Sequence, residues 1–221
     1  MRIACLHTAP GNATLFAKEG ERLGCVLRHE VRADLLERAE AAGGLTDAIS
    51  AETAAVLVKL AGNADAVLLT CSTIGPAVVE ARKSAVVPVL RVDEALARTA
   101  VASGNRVAVL CAIETTVEPT RALFQELALA TRAEVEMRFV PGAWTEFRAG
   151  RTDRYYAMIA AAADRAYRDG AKVVALAQAS MTGAAKLARL GKPLTSPAIG
   201  LKAALESAKS AAAQGGRRTT T

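Results

Sequence analysis

Two stretches, Ala64-Asp-Ala-Val-Leu-Leu-Thr-Cys-Ser-Thr-Ile74 and Ala171-Lys-Val-Val-Ala-Leu-Ala-Gln-Ala-Ser-Met181, lie over one another when the chain is shifted by 107 residues. Each begins with a short apolar run of strand length and ends in small, mostly polar residues. The overlay sets Cys71 opposite Gln178, Ser72 opposite Ala179 and Thr73 opposite Ser180. A second pair, Ile3-Ala-Cys-Leu-His7 and Val107-Ala-Val-Leu-Cys111, matches at nearly the same shift, 104 residues. Two matches at nearly equal offsets predict two similar half-molecules. A single α/β domain is the alternative that 221 residues also allow.

Working outward, short apolar runs alternate with longer amphipathic stretches, the pattern of βα units around parallel sheets. Strands are predicted at Ile3–His7, Cys25–Arg28, Ala66–Thr70, Val86–Leu90, Arg106–Leu110, Glu134–Phe139 and Lys172–Ala177. Helices are predicted at Leu15–Leu23, Leu35–Ala41, Ala48–Leu60, Pro76–Lys83, Val92–Ala102, Thr116–Ala130, Asp153–Arg168, Gly183–Leu190 and Ala198–Ser210. Gly104 with Asn105 stops one helix, Pro119 sits where a first helical turn accepts proline, Pro141-Gly142 breaks the chain after Phe139, and Gly170 ends the long helix. The domain expectation is residues 1–95 with 198–214 as the first α/β domain, 96–197 as the second, and 215–221 as a disordered tail.

Composition narrows the function classes. The chain is 52% hydrophobic and 4% aromatic, too apolar for a disordered protein and too poor in rings for a base-stacking platform. Its net charge of +6 includes Arg217 and Arg218 of the tail, so the folded part is only mildly basic. Without a dense basic stripe or a recognised motif, a nucleic-acid partner is poorly supported, and a small anionic ligand accounts for the charge. Cys5, Cys25, Cys71 and Cys111 are not spaced as metal-binding pairs, and only His7 and His29 add imidazoles, so structural zinc is not expected. No signal-peptide pattern or membrane-spanning run is read, which points to the cytoplasm and reduced thiols.

If the two halves face each other, the carboxyl ends of their strands converge on a shared cleft, the usual binding region of open α/β sheets. Cys71 follows Val67-Leu68-Leu69-Thr70 and precedes Ser72-Thr73-Ile74-Gly75-Pro76, a polar turn between a buried strand and a helix start. Amides at such a start stabilise a thiolate or a ligand carboxylate, and Ser72 and Thr73 add hydroxyl donors. A buried, inert cysteine is the plain alternative. Thr115 and Thr116 precede a helix and suit carboxylate binding or simple N-capping. Cys111 in the same segment is read as packing, with lining of the cleft as the alternative. Glu114 is read as a solvated loop glutamate. His7-Thr8 ends the first strand and leads into the Ala9-Pro10-Gly11-Asn12 loop; a histidine there orients a substrate, exchanges a proton or orders the loop. The opposite wall is Gln178-Ala179-Ser180, where Gln178 hydrogen-bonds without acid–base capacity and Ser180 lacks a visible activator.

The chain resembles the aspartate/glutamate racemase superfamily, which includes hydantoin racemase, maleate cis-trans isomerase and arylmalonate decarboxylase. The resemblance rests on the order of Ile3-Ala-Cys-Leu-His-Thr, Thr70-Cys-Ser-Thr, Pro88-Val-Leu-Arg-Val-Asp-Glu-Ala, Val107-Ala-Val-Leu, Glu114-Thr-Thr-Val-Glu-Pro-Thr and Lys192-Pro-Leu-Thr-Ser-Pro. It implies two open parallel-sheet domains related by pseudo-two-fold symmetry, with the site in the interdomain cleft. It also implies cofactor-independent chemistry on a small carboxylate, a homo-oligomer, and a cysteine on each side for proton removal and return. Cys71 matches the first family cysteine, Ser72 and Thr73 its carboxylate-binding turn, and Thr115 and Thr116 another substrate-binding segment. Gln178 stands where the second cysteine is expected. Three functions follow: a racemase- or isomerase-like enzyme using Cys71, with Gln178 orienting and His7 or water completing proton transfer; a one-cysteine decarboxylase or lyase; or a small-carboxylate binder without turnover.

Overall fold

The computed structural model describes residues 1–102 and 105–218, the last four of these as backbone only. Gly104, expected to stop a helix, lies outside the described residues, as do 219–221 of the expected tail. The chain forms two compact units, Met1–Val92 with the segment from Pro197 onward, and Asp93–Ser196.

The first unit carries a four-stranded parallel sheet ordered β2-β1-β3-β4, from β1 (Arg2–His7), β2 (Val26–Val31), β3 (Ala66–Leu69) and β4 (Val89–Arg91). The second repeats that order as β6-β5-β7-β8, from β5 (Arg106–Cys111), β6 (Glu134–Phe139), β7 (Val173–Leu176) and β8 (Leu194–Thr195). The correspondence extends to single residues. Ile3 pairs with Ala66 and Leu6 with Leu69, while Val107 pairs with Val173 and Leu110 with Leu176. These partners are the residues matched by the two sequence offsets. Thr70 N–H donates to Leu6 O at 3.0 Å, and Ala177 N–H donates to Leu110 O at 3.0 Å. Arg32 N–H donates to His7 O at 2.8 Å, as Val140 N–H does to Cys111 O at 2.8 Å.

Strands buried on both faces read as continuous apolar runs, and β1, β3, β5 and β7 do so here. The edge strands β2 and β6 alternate in exposure, showing one face to solvent. Helices α1 (Pro10–Leu23), α2 (Ala33–Ala41), α3 (Asp47–Ala61) and α4 (Val78–Ala81) belong to the first unit. Helix α5 (Val92–Val101) carries the chain into the second, followed by α6 (Glu114–Thr131), α7 (Ala143–Arg148) and α8 (Thr152–Arg168); α9 (Ser196–Arg218) returns it. Gly200 of α9 packs on Val92 so closely that a Cβ there would lie 2.5 Å from Val92 Cγ2. The second core gathers Tyr155, Ile159, Ala163 and Ala166 of α8 against Leu110, Val174 and Leu176.

Several local expectations are corrected. The segment Pro10-Gly11-Asn12 is not a loop: Pro10 opens α1, where its missing N–H costs no helical hydrogen bond. Pro119 lies inside α6 rather than in its first turn, and removes the helical donor to the Thr115 carbonyl. The stretch read as helix Gly183–Leu190 is a 3₁₀ helix at Ala179–Lys186, and Asp164 Oδ1 takes the Arg189 and Leu190 amides at 2.8 and 2.9 Å. The chain break at Pro141-Gly142 is a turn into α7, whose Trp144 and Phe147 rings stack at 4.9 Å.

Candidate functional site

In the first unit, β3 ends at Leu69 and the polar turn begins. Cys71, Ser72, Thr73 and Ile74 are all buried, with Cys71 8% exposed. The turn is closed by Gly75 N–H donating to Ser72 O at 3.1 Å and Ala77 N–H donating to Ile74 O at 3.2 Å. It enters a 3₁₀ turn, Gly75–Ala77, and then the four-residue α4, not the longer helix expected from Pro76. So short a helix supplies little macrodipole, and polarity at Cys71 rests on the turn itself. Arg91, a residue with no role evident from sequence, ends β4 beside Leu69 and is 9% exposed. Its guanidinium lies over Gly75: a Cβ there would be 2.7 Å from Arg91 Nε and Nη2. The visible signal was a lone cation in the apolar run Val86-Val-Pro-Val-Leu-Arg-Val.

His7 is fully buried at the end of β1, with both ring nitrogens engaged. Nδ1 lies 2.8 Å from Thr70 Oγ1, and Nε2 lies 2.9 Å from His29 Nδ1. Thr70 Oγ1 donates its one proton to Leu6 O at 3.1 Å, so it accepts from His7 Nδ1–H. In the neutral pair, His7 Nε2 then accepts from His29 Nδ1–H. Burial first, and the neighbouring His29 second, push the His7 pKa down to about 3. This chain of hydrogen bonds runs from His29 through His7 and Thr70 to the Leu6 carbonyl. Thr8, the next residue, is buried. Among the described residues, Cys5, His7 and His29 form the one group of three ligand-type side chains whose donor atoms lie within 4.8 Å of one another.

In the second unit, Gln178 follows β7 and is 9% exposed. Its Oε1 accepts from Ala112 N–H at 2.9 Å, which fixes the amide orientation, while Nε2 is buried without a hydrogen-bond partner. Burial pushes the Cys111 thiol up to about 12, and the neighbouring Gln178 and Thr120 side chains only partly oppose this. Ala179 opens the 3₁₀ helix and is buried. Ser180 Oγ lies 3.0 Å from Tyr155 OH, a neighbour not foreseen from sequence. Burial raises the Tyr155 pKa, so this phenol is no base for Ser180. Helix α6 begins at Glu114 with Ile113 as its cap, so Thr115 and Thr116 lie within its first turn rather than capping it. Thr116 is buried, Thr115 half-buried and Glu114 exposed. Cys71, Ser72, Thr73, His7 and Thr8 thus gather at the carboxyl edge of one sheet, and Thr115, Thr116, Gln178, Ala179 and Ser180 at that edge of the other.

The family model for Asp/Glu/hydantoin racemases matches residues 31–204. The chain belongs to that family, and in class it is a racemase- or isomerase-like enzyme. Its fold is shared with an aspartate racemase from Picrophilus torridus (TM-score 0.72, 14% identity, 94% of each chain covered). An allantoin racemase from Klebsiella pneumoniae is also similar (TM-score 0.69, 16% identity, 97% of this chain and 89% of the other). So is a variant of arylmalonate decarboxylase (TM-score 0.63, 17% identity, 95% and 94% covered). No curated protein matches. Among the described residues, no helix is long and apolar enough to cross a membrane.

Proposed function

We propose that the protein is a cofactor-independent racemase or isomerase of a small carboxylate or amino-acid derivative, with Cys71 as its working thiolate. The observation that carries this is the placement of Cys71 just beyond the carboxyl end of β3, in a polar turn backed by Arg91. The Cys71 thiolate takes the α-proton, leaving a thiol and an enediolate-like carbanion. Ser72 and Thr73, with Thr115 and Thr116, hold the carboxylate as charge moves onto it. Water protonates the opposite face, and the hydroxide formed recovers the proton from Cys71. Gln178, its amide fixed by the Ala112 N–H bond to Oε1, takes the orienting role. His7, occupied at both nitrogens, holds Thr70 in position and exchanges no proton. A cytoplasmic setting goes with this reading, since all four cysteines are free thiols.

One observation favours a second reading. With Gln178 where a second thiol is expected, a single thiol also suits a decarboxylase, in which Cys71 protonates the carbanion left by loss of carbon dioxide. Proton NMR in deuterated water, with amino acids, hydantoins, maleate and substituted malonates, separates the two. The expected result is α-deuterium exchange that disappears in Cys71→Ser. Loss of malonate carboxyl with no exchange elsewhere selects the decarboxylase, and full turnover by Cys71→Ser overturns both.

A further inference from the structure

We propose that Cys5, His7 and His29 form a binding site for a divalent transition metal ion of the class that accepts mixed sulfur and nitrogen ligands, such as zinc or cobalt(II). The spacing Cys5-x-His7 with His29 resembles no paired-cysteine motif, and only the fold makes a cluster of it. Cys5 pairs in register with His29 across β1 and β2, so their side chains leave the same face of the sheet, and His7, two residues along β1, shares that face. One donor atom from each then falls within 4.8 Å of the others.

The dimensions suit a tetrahedral ion. Metal–sulfur and metal–nitrogen bonds of about 2.3 and 2.0 Å separate ligand atoms by roughly 3.3–3.7 Å. The His7 Nε2 to His29 Nδ1 distance of 2.9 Å has to open only slightly. His7 is already oriented as a ligand. Its Nδ1–H is anchored on Thr70 Oγ1, whose own proton is committed to Leu6 O, so the Nε2 lone pair faces the cluster. Metal-binding histidines make this outer hydrogen bond as a rule. The Phe16 ring, 5.3 Å from that of His7, closes the inner side, and half-buried His29 on the edge strand leaves a route from solvent. On binding, His29 moves its proton from Nδ1 to Nε2, Cys5 releases its thiol proton to solvent as the metal–sulfur bond forms, and water fills the fourth position. The ion ties edge strand β2 to β1. This site is independent of thiol chemistry at Cys71, and its readout is binding rather than turnover.

The test is a titration of the metal-free full-length chain with cobalt(II), followed by visible absorption and by the near-ultraviolet thiolate-to-cobalt band. One ion per chain is expected, with tetrahedral visible bands and a thiolate band that survives in Cys71→Ser and disappears in Cys5→Ala. His29→Gln, a half-exposed change whose fold is checked by circular dichroism, should weaken binding by at least about tenfold, the loss that removing even an outer hydrogen-bond partner of a ligand brings. No thiolate band at any cobalt concentration, loss of the band in Cys71→Ser, or unchanged binding by a folded His29→Gln would each overturn the proposal.

Discussion

Gln178 Oε1 accepts the hydrogen bond of Ala112 N–H at 2.9 Å, joining the ends of two neighbouring strands through a side chain. The equivalent pair in the first unit is Cys71 and Thr8, and a thiol is too short and too weak an acceptor for the same tie. The amide at Gln178 therefore does structural work that a second cysteine could not do.

Gln178→Cys should accordingly cost stability while adding a thiol. With Ala112 N–H left buried and unpaired, the loss is about 1–3 kcal/mol, to be read from urea unfolding midpoints. Racemisation of an accepted substrate should rise if the new thiol reaches the opposite face. An unchanged midpoint would show that the amide finds another partner.

The repeat made most of the fold legible, because strands buried on both faces must be apolar along their whole length. The residues at the strand ends were legible for the same reason: Cys71 and Gln178 are where the apolar runs stop. The 3₁₀ helix at Ala179–Lys186 was hidden because Gly183, against the Tyr156 ring, and the Asp164 cap act through tertiary contacts. The Cys5, His7 and His29 cluster was hidden because strand register, not spacing, brings it together. Arg91 stands within one of the motifs that carry the resemblance, and its packing over Gly75 is visible only in the fold.

Acid should destabilise the metal-free protein through His7. Its folded pKa, about 3, lies below the ordinary 6.5, so between these values the unfolded chain binds the proton and the folded one does not. Stability is full above pH 6.5 and falls as pH drops toward 3, by on the order of 3 kcal/mol at pH 4. Burial lowers the half-buried His29 in the same direction. Urea unfolding at a series of pH values with a chelator present should show the slope, and His7→Gln should flatten it. An equally steep slope in that variant would assign the effect to the carboxylates.

Asp164 holds the segment after the 3₁₀ helix by accepting both the Arg189 and Leu190 amides on one oxygen. These amides are exposed and can turn to water, so Asp164→Ala should cost only about 1 kcal/mol. The local effect should be larger: limited proteolysis near Leu187–Leu190 should accelerate several-fold while Cys71-dependent turnover is unchanged. Equal cleavage rates in the two proteins would mean that other contacts hold the segment.

Gly75→Ala separates the turn's chemistry from its stability. The added methyl cannot coexist with a guanidinium 2.7 Å away, so either Arg91 leaves the turn or the turn moves. The atoms met are the far end of a flexible side chain, so the cost sits at the low end of overpacking, about 1 kcal/mol, which the fold should survive. Turnover should fall further than stability does, by at least about tenfold in kcat/KM, because a small misplacement of a catalytic group is enough for such a loss. Arg91→Ala removes the cation without crowding the turn, and pairing Gly75→Ala with it relieves the clash. If Arg91 supports Cys71, the double variant regains stability without regaining turnover. Recovery of both would reduce Arg91 to a space-filling side chain, and the polarity of the site would then rest on Ser72, Thr73 and the turn amides.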